Sequence, residues 1–193
     1  MGRRRVSAAP TRVRRFGPGA LATPANAITV ARIVLAVPTL FLIADRGSGW
    51  TTVGLWFVLS CTDGLDGWVA RRYGTTRSGA FLDPVADKFL ALGGFVALVS
   101  RGDVWWLPVA LMAAREVAVS VYRSAAGRRG VVVPARTLGK AKTFLQLLTI
   151  GGYLLPWTAG WHGLLVAMLW GSVALTLVSG VEIARRGRRP SSA

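Results

Sequence analysis

One cysteine, one histidine and eight acidic residues are all that the 193 positions hold of these types. The lone Cys61 excludes an intramolecular disulfide framework, and a thiol without partner ligands cannot build a zinc site. It is expected as a small packed residue. Charged side chains make up 17% of the chain against 52% hydrophobic. That is too little charge, with too little amphipathic alternation, for a soluble domain of this length. No cleavable signal peptide is legible, because the first apolar run starts too late and runs too long. The opening "MGRRRVS" misses the myristoylation pattern at Val6, and no solenoid-type repeat is found.

What is present instead is a recurrence of apolar stretches of about twenty residues, the length a helix needs to cross a bilayer. Six such spans are read, near 26–45, 50–70, 80–100, 104–123, 142–160 and 163–184. The expected fold is all-α, a polytopic membrane protein with six transmembrane helices in residues 24–185. A basic N-terminal tail, 1–23, and a basic C-terminal tail, 186–193, flank it. Thr23 or Asn26 is a candidate cap for the first helix, and the 128–137 stretch "RRGVVVPART" is expected to break helix at the inner interface.

A net charge of +16 raises nucleic-acid binding, and the distribution of that charge argues against it. With the N-terminus cytoplasmic, Arg46 and Arg101 alone among 24 Lys and Arg fall at outer loops. The rest gather in the tails, the 71–77 loop, the 123–142 segment and spans leading into them. This is the positive-inside pattern, and an even number of spans returns both tails to the cytoplasm. The tails suit anionic lipid headgroups; the basic runs lack a folded surface for reading nucleic acid. Eight tryptophans, several near span ends, are expected as interface anchors.

Half of the acidic residues lie in "DGLDGWVARRYGTTRSGAFLDPVAD", residues 63–87. Asp63 and Asp66 are three apart and Asp83 and Asp87 four apart, so each pair shares a helix face. A hairpin between the second and third spans would bring the pairs together near the cytoplasmic surface. Four carboxylates in one pocket repel unless a cation sits among them. All-oxygen ligands favour Mg²⁺, Mn²⁺ or Ca²⁺ over zinc or copper. Pairing with Arg71, Arg72, Arg77 and Lys88 as solvated loop charges is the plainer alternative, and it accounts poorly for four acids at or within spans. An EF-hand is excluded, since Leu65 and Gly67 stand at ligand positions and no terminal Glu follows. Gly67 and Gly79 allow close approach of a phosphate or nucleotide, against a reading as helix-packing glycines. Arg71 could hold a diphosphate oxygen through a bidentate fork.

The run Asp63-x-x-Asp66-Gly67-x-x-Ala70-Arg71, seven residues, Gly79-x-x-x-Asp83-x-x-x-Asp87 resembles the signature of the CDP-alcohol phosphatidyltransferases. This chain has the shorter of the family's two Arg-to-Gly spacings. The resemblance implies six transmembrane helices with cytoplasmic termini, a homodimer, and two divalent metals, Mg²⁺ or Mn²⁺, held by Asp63, Asp66, Asp83 and Asp87. Asp87 would also be the general base. Gly67, Arg71 and Thr76, with Ala70 and Gly79 of the motif, would meet the CDP portion of a CDP-linked lipid. "NAIT", Asn26 to Thr29, resembles a first-helix segment lining the same site. An alcohol would then attack the phosphorus carrying the lipid, and CMP would leave. With His162 expected at the opposite face, a carboxylate is the remaining base candidate. No Ser–His or Cys–His pair supports a covalent intermediate.

The acceptor alcohol should be read in residues 114–146, where Arg115, Arg123, Arg136, Lys140 and Lys142 make a cationic group. Such a group suits an acceptor with its own phosphate; positive-inside topology explains Arg128 and Arg129 but not Arg115, which stands beside Glu116 within a span. "ARE", "SxxR" and "PARxxGKxKTxxQ", with "GAFLDPVADK", resemble the phosphatidylglycerophosphate synthase branch. That branch implies CDP-diacylglycerol as donor and sn-glycerol 3-phosphate as acceptor. A cardiolipin synthase of the same family, using phosphatidylglycerol, is the runner-up, followed by a phosphatidylinositol phosphate synthase. A polyprenyl transferase would separate its acidic motifs into two segments. A divalent-cation transporter would need acidic ligands beyond Lys88, where "FLALGGFVALVS" offers none. The expected location is the bacterial plasma membrane, among membrane lipids.

Overall fold

The computed structural model describes the backbone of residues 24–73, 77–128 and 137–186, and the side chains of 27–62, 85–127, 139–158 and 160–185. Among the described residues the chain is all-helical: α1 Pro24–Arg46, α2 Trp50–Tyr73, α3 Arg77–Ser100, α4 Trp106–Arg128, α5 Thr137–Leu154 and α6 His162–Arg186, with a 3-10 helix, Pro156–Trp161, before the last. Pro24 opens α1, where its fixed φ and missing N–H suit a first position. Asn26 is therefore inside the helix and not its cap. The fifth helix departs from the expected 142–160 at both ends. It begins at Thr137 and stops at Leu154, because Pro156 cannot extend it and starts the 3-10 helix instead.

The packing of the helices closes into a ring. The order around it is α1, α2, α5, α6, α4, α3 and back to α1, and α3 and α5 also touch across the middle. Contact is densest within α1–α3 and within α4–α6. The α1 face turned inward is Thr29, Arg32, Ala36, Thr39 and Ile43, an alternating three–four spacing that makes one stripe. The apolar core joins the halves through Ile43, Trp56, Leu59, Leu90, Phe95, Met112, Ile150 and Leu154.

Two left-handed glycines stop helices at one end of the ring. Gly47, φ 67°, donates to the Ile43 carbonyl at 2.9 Å, and Gly102, φ 79°, lets Asp103 donate to the Leu98 carbonyl at 3.0 Å. Both are the glycine-terminated helix ends that satisfy last-turn carbonyls. The Gly49 N–H reaches the Leu154 carbonyl at 3.0 Å and ties α5 to this turn. Trp50 and Trp157 meet edge-to-face at 5.3 Å, and Trp105 and Trp106 stand at the start of α4.

Large apolar side chains also cover the outside. Phe41, Phe57, Val96, Val121, Phe144 and Val178, one from each helix, are all exposed, a surface that water-soluble monomers rarely present. Among the described residues two helices are long and apolar enough to cross a membrane: Ala27–Arg46 and His162–Arg185, with 28% and 33% of their apolar stretches buried. On α2 the apolar stretch is shorter, Trp50–Thr62. The six expected spans are thus matched by six helices, of which two pass on length and composition within the described residues. Within its described residues α4 carries Arg115, Glu116 and Arg123 inside the apolar run. Cys61, expected to be packed, is exposed.

Candidate active site

An arginine in a buried helix stripe is costly unless a partner compensates its charge. Arg32, 2% exposed, has one on α3: its Nη1 donates to Asp87 Oδ1 at 3.1 Å. The Asp87 side chain is 35% exposed, so the guanidinium is sealed between helices while the carboxylate can be reached from outside. Thr29 is fully buried three positions before Arg32 and therefore lies on the same side of α1. Arg32 was not foreseen as a partner of Asp87. Its signal was there to read: a lone cation in the middle of the first apolar run.

Asp63 and Asp66 lie on α2 and Asp83 on α3. Their side chains lie outside the described residues, as do the side-chain surroundings of Asn26, Gly67, Ala70, Arg71 and Gly79 and all of Thr76 and Arg136. The buried stripe of α2, Thr52, Trp56 and Leu59, steps by four and three; continued along the sequence, the same steps reach positions 63 and 66. Among the described residues no three His, Cys, Asp or Glu gather. The donor chemistry nonetheless fits a hard divalent cation: an accessible Asp87 carboxylate, with Asp83 one turn earlier on α3 and neither His nor Cys in the motif. His162, as expected, is at the far end, lining a cavity of about 350 Å³ with Arg101, Asp103 and Tyr153.

The cations of residues 114–146 separate into different environments. Arg115 Nη1 donates to Glu116 Oε1 at 2.8 Å and Nη2 to Ser179 Oγ of α6 at 2.7 Å. Lys142, from α5, donates to the same Glu116 oxygen. Lys88, next to Asp87, donates to Ser120 Oγ, and that hydroxyl donates to the Glu116 carbonyl at 2.6 Å. A polar path therefore leads from the Asp87 neighbourhood into the α4–α6 half. Arg123 is half-buried and Lys140 exposed. Glu116, Ser120 and Ser179 were not singled out as site residues; only the adjacency of Arg115 and Glu116 pointed to them.

Comparison with known proteins agrees with this geometry. Residues 22–178 match the family model described as CDP-alcohol phosphatidyltransferase. A Mycobacterium tuberculosis protein named "Probable phosphatidylglycerophosphate synthase" is 39% identical over 192 residues, covering 95% of this chain and 90% of that one. A Haemophilus influenzae protein named CDP-diacylglycerol–glycerol-3-phosphate 3-phosphatidyltransferase is 32% identical over 80% of this chain and 88% of its own. The Escherichia coli protein of the same name is 35% identical over 66% of this chain and 74% of its own. With a match that runs through all six helices and takes in the whole acidic motif, the chain is an enzyme and belongs to the CDP-alcohol phosphatidyltransferase family.

Proposed function

We propose that the protein transfers the phosphatidyl group of CDP-diacylglycerol to sn-glycerol 3-phosphate, giving phosphatidylglycerophosphate and CMP in phospholipid synthesis. The observation that carries the acceptor is the buried charge around Glu116. Arg115 and Lys142 meet on one carboxylate, and Lys88 reaches the backbone carbonyl of the same residue through Ser120. A pocket with more positive than negative charge suits an alcohol bearing its own phosphate. The Haemophilus and Escherichia relatives are named for that acceptor.

In this reading the acceptor hydroxyl attacks the phosphorus that carries diacylglycerol. The bond from that phosphorus to the oxygen of the CMP phosphate breaks, CMP leaves with the electron pair, and Asp87 takes the hydroxyl proton. Arg32 fixes the Asp87 carboxylate by charge and hydrogen bond together. Gly67, Arg71 and Thr76, with Asn26, Thr29, Ala70 and Gly79, receive the CDP portion. Arg115, Arg123, Arg136, Lys140 and Lys142 supply the cationic side toward the acceptor. Asp63, Asp66, Asp83 and Asp87 would hold two divalent cations, Mg²⁺ or Mn²⁺, which when bound supply positive charge to the diphosphate as CMP departs.

The setting is a bacterial plasma membrane crossed six times by residues 24–185, with the tails 1–23 and 186–193 in the cytoplasm against anionic headgroups. Exposed apolar side chains on every helix support this. So do Trp50, Trp105, Trp106, Trp157 and Trp161, all exposed at the end of the ring remote from the acids, where interface anchors belong. A homodimer rests on the family resemblance.

The test is CMP release by detergent-purified protein given CDP-diacylglycerol, Mg²⁺ or Mn²⁺, and one acceptor at a time. Release with glycerol 3-phosphate, abolished in Asp87→Asn, is expected. Release with phosphatidylglycerol alone would move the assignment to cardiolipin synthesis, and release with inositol phosphate alone to the inositol branch.

A further inference from the structure

The seam between α4, α5 and α6 holds an imbalance of charge, and the proposed reaction uses its cations while giving its one carboxylate, Glu116, no role. Arg115 and Lys142 come from different helices and converge on one oxygen, Glu116 Oε1. All three side chains are about nine-tenths buried, at 10%, 9% and 9% exposure. Two buried cations on one carboxylate leave positive charge over, and uncompensated charge in such a place is costly. The Nε atoms of Arg115 and Arg123 are also buried without a hydrogen-bond partner, and unpaired buried donors of this kind are rare. Gly180 of α6 adds a constraint on shape. A Cβ built there would lie 2.9 Å from Arg115 Nε and 3.3 Å from its Cγ. The guanidinium therefore reaches Glu116 and Ser179 through space that a larger residue at 180 would fill.

We propose that Glu116 is a positioning residue for the acceptor. It draws Arg115 and Lys142 into one buried cationic pair, in room left by Gly180, and the surplus positive charge is completed by the phosphate of the acceptor. The inference rests on the proposed function only in taking a phosphorylated acceptor. A plain structural tie between the three helices would use the same ion pairs, so the test must separate positioning from stability.

Two variants do so, Glu116→Gln and Gly180→Ala. The first removes the charge that gathers the cations; the second keeps every charge and displaces Arg115. In each, KM for glycerol 3-phosphate is expected to rise about tenfold or more, the scale of a lost charge-assisted contact, with KM for CDP-diacylglycerol within about twofold. The second readout needs no turnover: glycerol 3-phosphate, and inorganic phosphate as a simpler probe, should raise the detergent unfolding midpoint of the wild type and not of the variants. Stabilisation of wild type and both variants alike would overturn the proposal while leaving the acceptor assignment standing. No stabilisation of the wild type, together with no CMP release on adding glycerol 3-phosphate, would overturn both. A KM that stays level or falls in Glu116→Gln would show that Glu116 competes with the phosphate, and a matching loss for both substrates would mark a structural tie; either sinks the proposal. If Glu116→Gln fails to fold, Gly180→Ala decides alone.

Discussion

The α1–α3 half and the α4–α6 half of the ring bury polar groups in opposite ways. In the first, apart from a few threonines, the described interior is apolar from Ala36 through Leu59 to Leu98, and its charge is concentrated at one place, the Arg32–Asp87 pair. The threonine hydroxyls there serve nearby carbonyls: Thr39 donates to Leu35 and Thr52 to Gly47 and Gly49, each at 2.8 Å. In the second half, polar contacts run along the helices and cross between them. Glu116, Lys142 and Arg115 lead to Ser179, Gln146 bridges to Thr176, and Thr149 meets Ser172 at 3.3 Å. Helices in lipid gain no hydrophobic drive toward one another, so small polar residues between them supply part of the attachment. The difference separates the two halves: one carries the acid motif on helices held largely by apolar packing, and the other is stitched by polar pairs that gather buried cations on Glu116.

The largest break in that comparison should come at the acid end. Asp87→Asn removes the group that in the proposed reaction takes the proton, and is expected to cost about 10²–10⁴-fold in CMP release, the usual weight of a positioned base. Arg32→Gln leaves Asp87 in place and removes this ion pair; with Asp87 in its proposed role, the loss should be about 10–100-fold, as for groups that orient the ligands of metal sites. If Arg32→Gln lowered the unfolding midpoint and left turnover intact, the pair would be a structural tie, and the contrast between the halves would lose its chemical meaning.

A smaller effect is expected where the halves meet. A Cβ at Gly94 would lie 2.8 Å from Trp56 Cη2 and 2.9 Å from Ile150 Cδ1. Trp56 has little room to retreat, since its indole N–H donates to the Leu147 carbonyl at 3.0 Å across the same boundary. Gly94→Ala should therefore destabilise by about 1–3 kcal/mol, the cost of overpacking a filled core. Thermal unfolding in detergent reads the loss. A neutral result would mean that the halves slide past each other with ease.

How much of this was legible in the sequence follows the same division. The helix count, the acid motif and the family could be read because apolar length and the spacing of the four aspartates are local properties of the chain. Arg32 was missed because its partner is 55 residues away, and the third apolar run gives no hint of which helix packs on Asp87. The attachment of Arg115 to Glu116 was left open because neighbours in a helix point about 100° apart, and here a third group, Lys142 on another helix, brings charge to the same oxygen. The end of α5 was misplaced because hydropathy continues through Leu155 and Trp157 while backbone geometry stops at Pro156. Hydropathy sees what lipid would accept; it does not see where an N–H is missing.

The smallest expected effect sharpens the polar half. Gln146 Nε2 donates to Thr176 Oγ1 at 3.3 Å and to Met112 Sδ at 3.2 Å. Thr176→Val keeps the branched shape and removes the hydroxyl, leaving Gln146 a thioether, which is a weak acceptor. Single interhelical hydrogen bonds of this kind average about 0.6 kcal/mol in membranes, so the unfolding midpoint should fall slightly and CMP release should hold. Pairing Thr176→Val with Ser172→Ala, which breaks the neighbouring contact to Thr149, tests whether the seam acts as one network. Additive losses would make it a row of independent stitches. A combined loss well beyond the sum would mean that each contact holds the next in line, and Glu116 would then be positioned by the whole seam and not only by the two cations it touches.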